Sequence, residues 1–236
     1  PFGAGIGIGG NFAVNMIGIT DDGVIYVGNL TTDTTGANGP FRLYRWADET
    51  AQPELAYAGD PSEADEVANN RRFGDSLVLR GTGADTQILL GTLDKNVGLL
   101  TTADGLTFTA TKIVTDGAAA DTRWGLAWGA GDTFWAKQAS GNLKQFSLNQ
   151  AAGTASLTTT ITGIPGGPLG LDVSRNLLAV VEAGTTATAG HLLRLYDISN
   201  PTAPVQQDTT RVFPSNPTNA NRSEEHTSEL QSPNTI

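Results

Sequence analysis

The 236-residue sequence predicts an all-β protein assembled from four-stranded units, and three observations carry that reading. A pair of short apolar segments split by a tight turn recurs four times at a spacing of about 50 residues, the mark of a repeat architecture. Long apolar patterns of 3.6-residue period are missing. Gly, Thr, Ala, Asn and Asp are abundant while Glu and Lys are sparse, which favours strands and turns over helices. The second segment of each pair is a continuous apolar run, as in strands buried on both faces.

The first unit opens at Gly18 with GITDDGVIYVGNL, two strands around the turn Asp21-Asp22-Gly23, and continues with FRLYRW (41–46) and ELAYAG (54–59). Residues 61–70 (PSEADEVANN) look helical for at most one turn and read as a loop. The second unit opens at Gly74 with GDSLVLRGTGADTQILLGTL, turns at Gly83-Ala84-Asp85, and adds NVGLLTT (96–102) and TFTATKIV (107–114). The third opens at Gly125 with GLAWGAGDTFWAKQ, turns at Gly129-Ala130-Gly131, and adds NLKQFSL (142–148) and ASLTTTIT (155–162). The fourth opens at Gly170 with GLDVSRNLLAVVEA, turns at Ser174-Arg175-Asn176, and adds HLLRLYDI (191–198) and VQQDTTRVF (205–213). These turn residues tolerate the positive φ that tight hairpins demand. Four short strands per unit at this period describe the blades of a β-propeller. The blades span about 16–60, 74–115, 124–163 and 168–213. Each first strand is expected to line the central channel and each fourth strand the rim. The four blades read as part of a ring of six to eight.

Composition narrows the function. The formal net charge is −10, with no basic stripe, so nucleic acid and anionic membrane surfaces are repelled. There is no cysteine, which excludes disulfides, thiolate metal sites and cysteine nucleophiles. No apolar run approaches the roughly 18 residues that a membrane-spanning helix needs.

Residues 195–205 read Leu-Tyr-Asp-Ile-Ser-Asn-Pro-Thr-Ala-Pro-Val. This stretch resembles the outer-hairpin signature of bacterial surface and secreted propeller repeats of the LVIVD type. The first unit carries a degenerate form in Leu43-Tyr44-Arg45-Trp46 followed by Ala51-Gln52-Pro53, and the other two lack it. The chain also looks like uncharacterised exported bacterial proteins with LYRWA blades. The resemblance implies a blade of an extracellular or cell-surface bacterial protein and supplies no catalytic residues. Asp197 and Asn200 are expected to bond nearby backbone amides, with Pro201 starting the turn. A second resemblance concerns residues 222–232, RSEEHTSELQS, which look like the in-frame translation of a sequencing-library adapter. On that reading 222–236 is a non-native tail that packs against nothing, and 1–221 is a partial propeller whose true termini lie elsewhere.

The chemistry-bearing motifs are sparse. Gly5 to Gly10 satisfy G-x-G-x-x-G, but a dinucleotide fingerprint needs a helix directly after it, and a strand-like segment follows. His191 is the one histidine outside the tail and reads as an exposed loop-edge residue. Without a second histidine or a cysteine it makes no metal site. Without a G-x-S-x-G elbow it serves no serine nucleophile of that type. Asp21, Asp22, Asp33, Asp85, Asp104, Asp116 and Asp132 mostly sit beside glycine at turns, where carboxylates serve the backbone. A calcium ion in one loop cluster is the sole cofactor this pattern leaves open. Trp128 and Trp135 are expected in the core. Loops entering the first strands at one mouth of the channel offer Arg71, Arg72, Asp75, Asp121, Arg123 and Trp124, the candidate ligand-binding residues. The leading expectation is a non-catalytic module for binding or display, with a protein or carbohydrate ligand. The alternative is a propeller-type hydrolase, lyase or lactonase with its site at that mouth.

Overall fold

The computed structural model describes residues 10–32, 39–61, 72–93, 96–115, 122–138, 141–164, 167–182 and 191–213. They form four antiparallel sheets, each of four consecutive strands in chain order. Sheet one holds β1 (Phe12–Ile19), β2 (Ile25–Leu30), β3 (Phe41–Trp46) and β4 (Glu54–Gly59). Sheet two holds β5 (Phe73–Arg80), β6 (Gln87–Thr92), β7 (Val97–Thr102) and β8 (Phe108–Ile113). Sheet three holds β9 (Gly125–Trp128), β10 (Thr133–Lys137), β11 (Leu143–Asn149) and β12 (Thr154–Ile161). Sheet four holds β13 (Leu169–Asp172), β14 (Leu177–Glu182), β15 (His191–Asp197) and β16 (Val205–Phe213). No α-helix occurs among the described residues.

Turn chemistry sets the inner hairpins. The β1–β2, β5–β6, β9–β10 and β13–β14 turns each place a residue at positive φ: Gly23 at 85°, Gly83 at 52°, Gly131 at 56° and Asn176 at 53°. Glycine enters this region without a Cβ penalty, and asparagine is among the side chains that tolerate it best. At the outer end of sheet four, Asp197 accepts from the Ser199 amide at 2.8 Å and Asn200 from the Thr202 amide at 3.2 Å. The two side chains thus hold the β15–β16 turn as their sequence suggests.

The second strands end in polar side chains that tie down the turn into the third. The Asn29 side chain accepts from the Arg42 amide at 2.8 Å and donates to the Pro40 carbonyl at 3.3 Å. The Thr92 hydroxyl donates to the Asn96 carbonyl at 2.8 Å. Both residues are fully buried, and such groups need partners there. Asn29-Leu30-Thr31, which matches a glycosylation sequon, therefore lies in the core.

The first strands of successive sheets face one another, β1 against β5, β5 against β9 and β9 against β13. They are innermost and the fourth strands form the rim. Among the described residues no comparable contact joins β13 back to β1, so the sheets make an arc. Three apolar clusters fill the junctions. Tyr26, Phe41, Leu43, Phe73, Leu77 and Ile88 are at the heart of the first. Leu89, Leu99, Ile113, Trp128, Phe134 and Phe146 anchor the second, with the Phe134 and Phe146 rings stacked at 5.1 Å. Trp135, Leu143, Ile164, Leu178, Val180 and Tyr196 form the third.

Three details differ from the sequence reading. Gly18 is not the head of the first unit, because β1 already begins at Phe12. β1 and β5 share a register slip, between Phe12 and Met16 and between Phe73 and Leu77, so Phe12 corresponds to Phe73. The bulge breaks the period-two alternation that would have marked the strand. Second, Val27, Ile88, Leu90, Phe134, Leu178 and Val180 are buried as expected, but Val24 and Ile25 are half-buried. Val24 precedes β2, and Ile25 pairs with Ile19 at the exposed end of the arc. Third, His191 is half-buried and paired with Phe213 at the start of β15. A strand, β1, follows the glycine-rich opening, as expected. Residues 62–70 and the tail 222–236 lie outside the described residues.

Candidate functional site

At one mouth of the arc the chain enters β5 and β9. Arg72 immediately precedes β5, and Asp75 lies within the register slip of that strand. The Arg72 guanidinium grips Asp75 in a fork, Nε to Oδ2 at 2.5 Å and Nη2 to Oδ1 at 2.6 Å. The pair is partly shielded, with side-chain exposures of 27% and 21%. Bidentate pairing of this kind fixes both partners. Both Asp75 oxygens accept from a held guanidinium, which leaves the carboxylate poorly placed as a general base.

The entry to β9 is a 3₁₀ turn, Thr122–Trp124, docked on sheet two. Thr122 is buried; its hydroxyl accepts from the Thr92 amide at 3.1 Å and its carbonyl from the Ser76 hydroxyl at 3.4 Å. Gly91 is what lets the turn approach, since a Cβ there would meet the Thr122 carbonyl oxygen at 2.6 Å. The docked turn holds Arg123 and Trp124 at the mouth. The Arg123 guanidinium lies 5.5 Å from the centre of the Trp124 ring, within range of a cation–π attraction. Trp124 itself is 44% exposed, whereas Trp128 and Trp135 are core residues as expected. The structure thus arranges four of the six candidates as two pairs, Arg72 with Asp75 and Arg123 with Trp124. Arg71 and Asp121 lie outside the described residues.

The opposite mouth carries a cleft that the sequence did not disclose. It measures about 500 Å³ and lies between the hairpin turns of sheets two and three. Arg80 organises it, donating to Gln87 at 2.8 Å, to the Gly131 carbonyl at 2.5 Å and to Asp132 at 3.2 Å. Its guanidinium covers the Trp128 ring at 3.8 Å. Gln87 donates in turn to Gln150 at 2.7 Å. These residues sit on turns and strand ends, where sequence shows a turn and nothing more.

A third polar group is buried between sheets three and four. Lys137, at the end of β10, is fully buried and donates from Nζ to the Ile164 carbonyl. Burial pushes its ammonium down to about 8, with Glu182 pulling upward and Arg194 adding to the depression. Glu182 and Arg194 form their own ion pair at 2.5 Å. Among the turn carboxylates, Asp104 is held far below the usual range by the Thr107 and Leu106 amides and the Thr102 hydroxyl. Asp22 is lowered chiefly by the Thr20 hydroxyl. Among the described residues no three His, Asp or Glu side chains group as a metal site would; Asp33 and Asp116 fall outside them.

No protein-family model and no curated protein sequence matches the chain. Solved structures do. A DUF4623 family protein from Bacteroides eggerthii aligns with a TM-score of 0.55 at 15% identity, over 89% of this chain and 50% of that one. A Bacteroides fragilis protein named as a putative 6-phosphogluconolactonase aligns with 0.54 at 12% identity, over 85% and 58%. A Bacteroides uniformis protein of the same description aligns with 0.52 at 10% identity, over 81% and 55%. The chain spans about half the length of these structures. At such identities the likeness is one of fold, and it identifies the four sheets as those of a propeller-type all-β protein.

Proposed function

We propose that this chain is a non-catalytic propeller module of an exported or cell-surface bacterial protein, and that it recognises a carbohydrate at the mouth containing Trp124. The observation that carries this reading is the half-exposed Trp124 ring, held on a turn anchored to sheet two and backed by Arg123. An exposed ring beside a cation suits a sugar, which offers an apolar face for stacking and hydroxyls for hydrogen bonds. The Arg72–Asp75 fork next to β5 supports recognition over catalysis, because each group is already spent on the other. The acidic net charge disfavours nucleic acid as the ligand, and the Asp197–Val205 turn, with its likeness to secreted repeats, supports export. The test is a glycan array followed by calorimetric titration. Trp124→Ala is expected to weaken binding at least tenfold while the melting temperature stays within error. Unchanged affinity would move the site elsewhere, and binding to a protein ligand alone would replace the sugar.

The lactonase reading has one observation in its favour, the description attached to two of the matched structures. Turnover of a sugar lactone that disappears in Asp75→Asn would overturn the non-catalytic reading. The same preparation, melted with and without calcium, tests a loop-bound ion: a rise of several degrees would add calcium to the module.

A further inference from the structure

We propose that the cleft around Arg80, at the mouth opposite Trp124, is a second ligand site of this chain, and that it takes a neutral sugar of one or two rings. It is built from other residues than the Trp124 mouth and does not depend on binding there. The cleft opens between sheets two and three and measures about 500 Å³, within the range of pockets that hold small molecules. The β5–β6 turn, the end of β7, the β9–β10 turn and Gln150, just past β11, form its walls.

Arg80 is fixed before any ligand arrives. Three of its five N–H groups are engaged, by Gln87, the Gly131 carbonyl and Asp132. Its guanidinium carbon sits over the ring of Trp128, a core residue, so the charged head rests on a rigid floor. A side chain held in this way has little freedom left to lose when a ligand binds it. Thr86 lines the same cleft. It is buried, and its hydroxyl has no hydrogen-bond partner among the described residues. Native structures seldom leave such a group unpaired, and an ordered water or a ligand hydroxyl is a usual partner.

The groups left over set the chemistry of the ligand. The two remaining Arg80 N–H groups donate, as does the Gln150 amide, whose oxygen already accepts from Gln87. The exposed Asp85 carboxylate and the second oxygen of Asp132 accept. An anion would meet two carboxylates in a chain of net charge −10. A cation would meet Arg80 at the centre. A neutral ligand whose groups both donate and accept avoids both conflicts, and the hydroxyl does both. Neighbouring hydroxyls of a sugar ring reach a carboxylate and a guanidinium together. The lining holds no aromatic side chain, so recognition here rests on hydrogen bonds, in contrast to stacking on Trp124.

The experiment is a nuclear magnetic resonance titration of the isotope-labelled 236-residue chain with maltose, cellobiose and lactose. Glucuronic acid and glucosamine serve as charged controls. At least one neutral disaccharide is expected to shift the backbone amides of Ala84, Asp85 and Asp132 and the side-chain amide of Gln150. Asp85→Ala combined with Gln150→Ala, both at exposed positions, should weaken that binding at least tenfold with the melting temperature unchanged. Trp124→Ala should leave it unaltered. Cleft shifts with a still Trp124 indole would support this site and count against the Trp124 mouth alone. Shifts confined to the Trp124 indole would overturn the cleft and leave the other mouth standing. A stronger response to either charged control would overturn the neutral ligand, and cleft amides unmoved by every disaccharide through the millimolar range would overturn the site.

Discussion

Lys137 is a cation enclosed between two sheets, with a carbonyl and the Glu182–Arg194 pair for company. Its ammonium titrates near 8 in the folded chain and near 10.5 when unfolded. Between those values the unfolded chain binds more protons, so stability rises with pH across the window. Below pH 8 both states carry the proton and the cost of burying the charge is fully present. Lys144 shifts in the same direction through burial, and Tyr196, raised by burial, opposes it above its ordinary value of 10.0. Melting between pH 8 and 9.5 stays below the Tyr196 opposition, and the Lys137→Met variant separates the Lys137 share from that of Lys144. The melting temperature is expected to climb with pH there, and Lys137→Met should flatten the climb; a slope unchanged by the substitution would show that another group is responsible. A buried lysine inside an apolar run is invisible in sequence, because Thr-Phe-Trp-Ala-Lys reads as a strand leaving its core at the lysine.

At the scale of the strand, the β1 and β5 bulges and the hairpin turns make different demands on glycine. Gly74, at φ 99°, sits where a Cβ would collide with the Asn29 carbonyl oxygen of sheet one. Gly83 also has positive φ, but nothing lies within 4 Å of its Cβ position. Gly83→Ala is expected to cost about 1 kcal/mol, the conformational penalty alone. Gly74→Ala should cost clearly more, because backbone must move as well; chemical denaturation of both variants measures the difference. Ile88→Ala in β6 should cost about 2–4 kcal/mol, as for other large-to-small changes in a packed core. The four strands of each unit were legible because turn residues and apolar runs are local signals. The first strand of the first unit was misplaced because a bulge puts two extra residues into β1 and interrupts its alternation. At the mouth, Trp124 and its neighbours were legible as a cluster of unusual side chains beside a first strand. The Arg80 cleft was not, since its parts come from four hairpins that are adjacent only in the folded stack.

For the molecule as a whole, burial is unequal along the arc. Strands β2, β6 and β10 are buried over nearly their whole length, while β1 is largely exposed and β13, β14 and β15 are mostly half-buried. Hydrogen exchange follows local opening, so amides of β6, β7, β10 and β11 should be the slowest and those of β1 and β13 faster. Uniform protection across all four sheets would count against this gradient. The three junctions also differ in kind. Between sheets one and two the contact is aromatic, with Tyr26 edge-on to Phe108 at 5.5 Å. Between two and three a guanidinium is pressed on an indole, and between three and four an ammonium is buried beside an ion pair. A sheet presented to the wrong neighbour would leave Lys137 facing hydrocarbon or Arg80 without its ring. Mismatched charge and unpaired polar groups penalise wrong partners, just as good contacts reward right ones. Lys137 and Arg80 therefore act as keys: they favour one order of the sheets, and guard a chain of units built alike against assembling out of sequence while it folds.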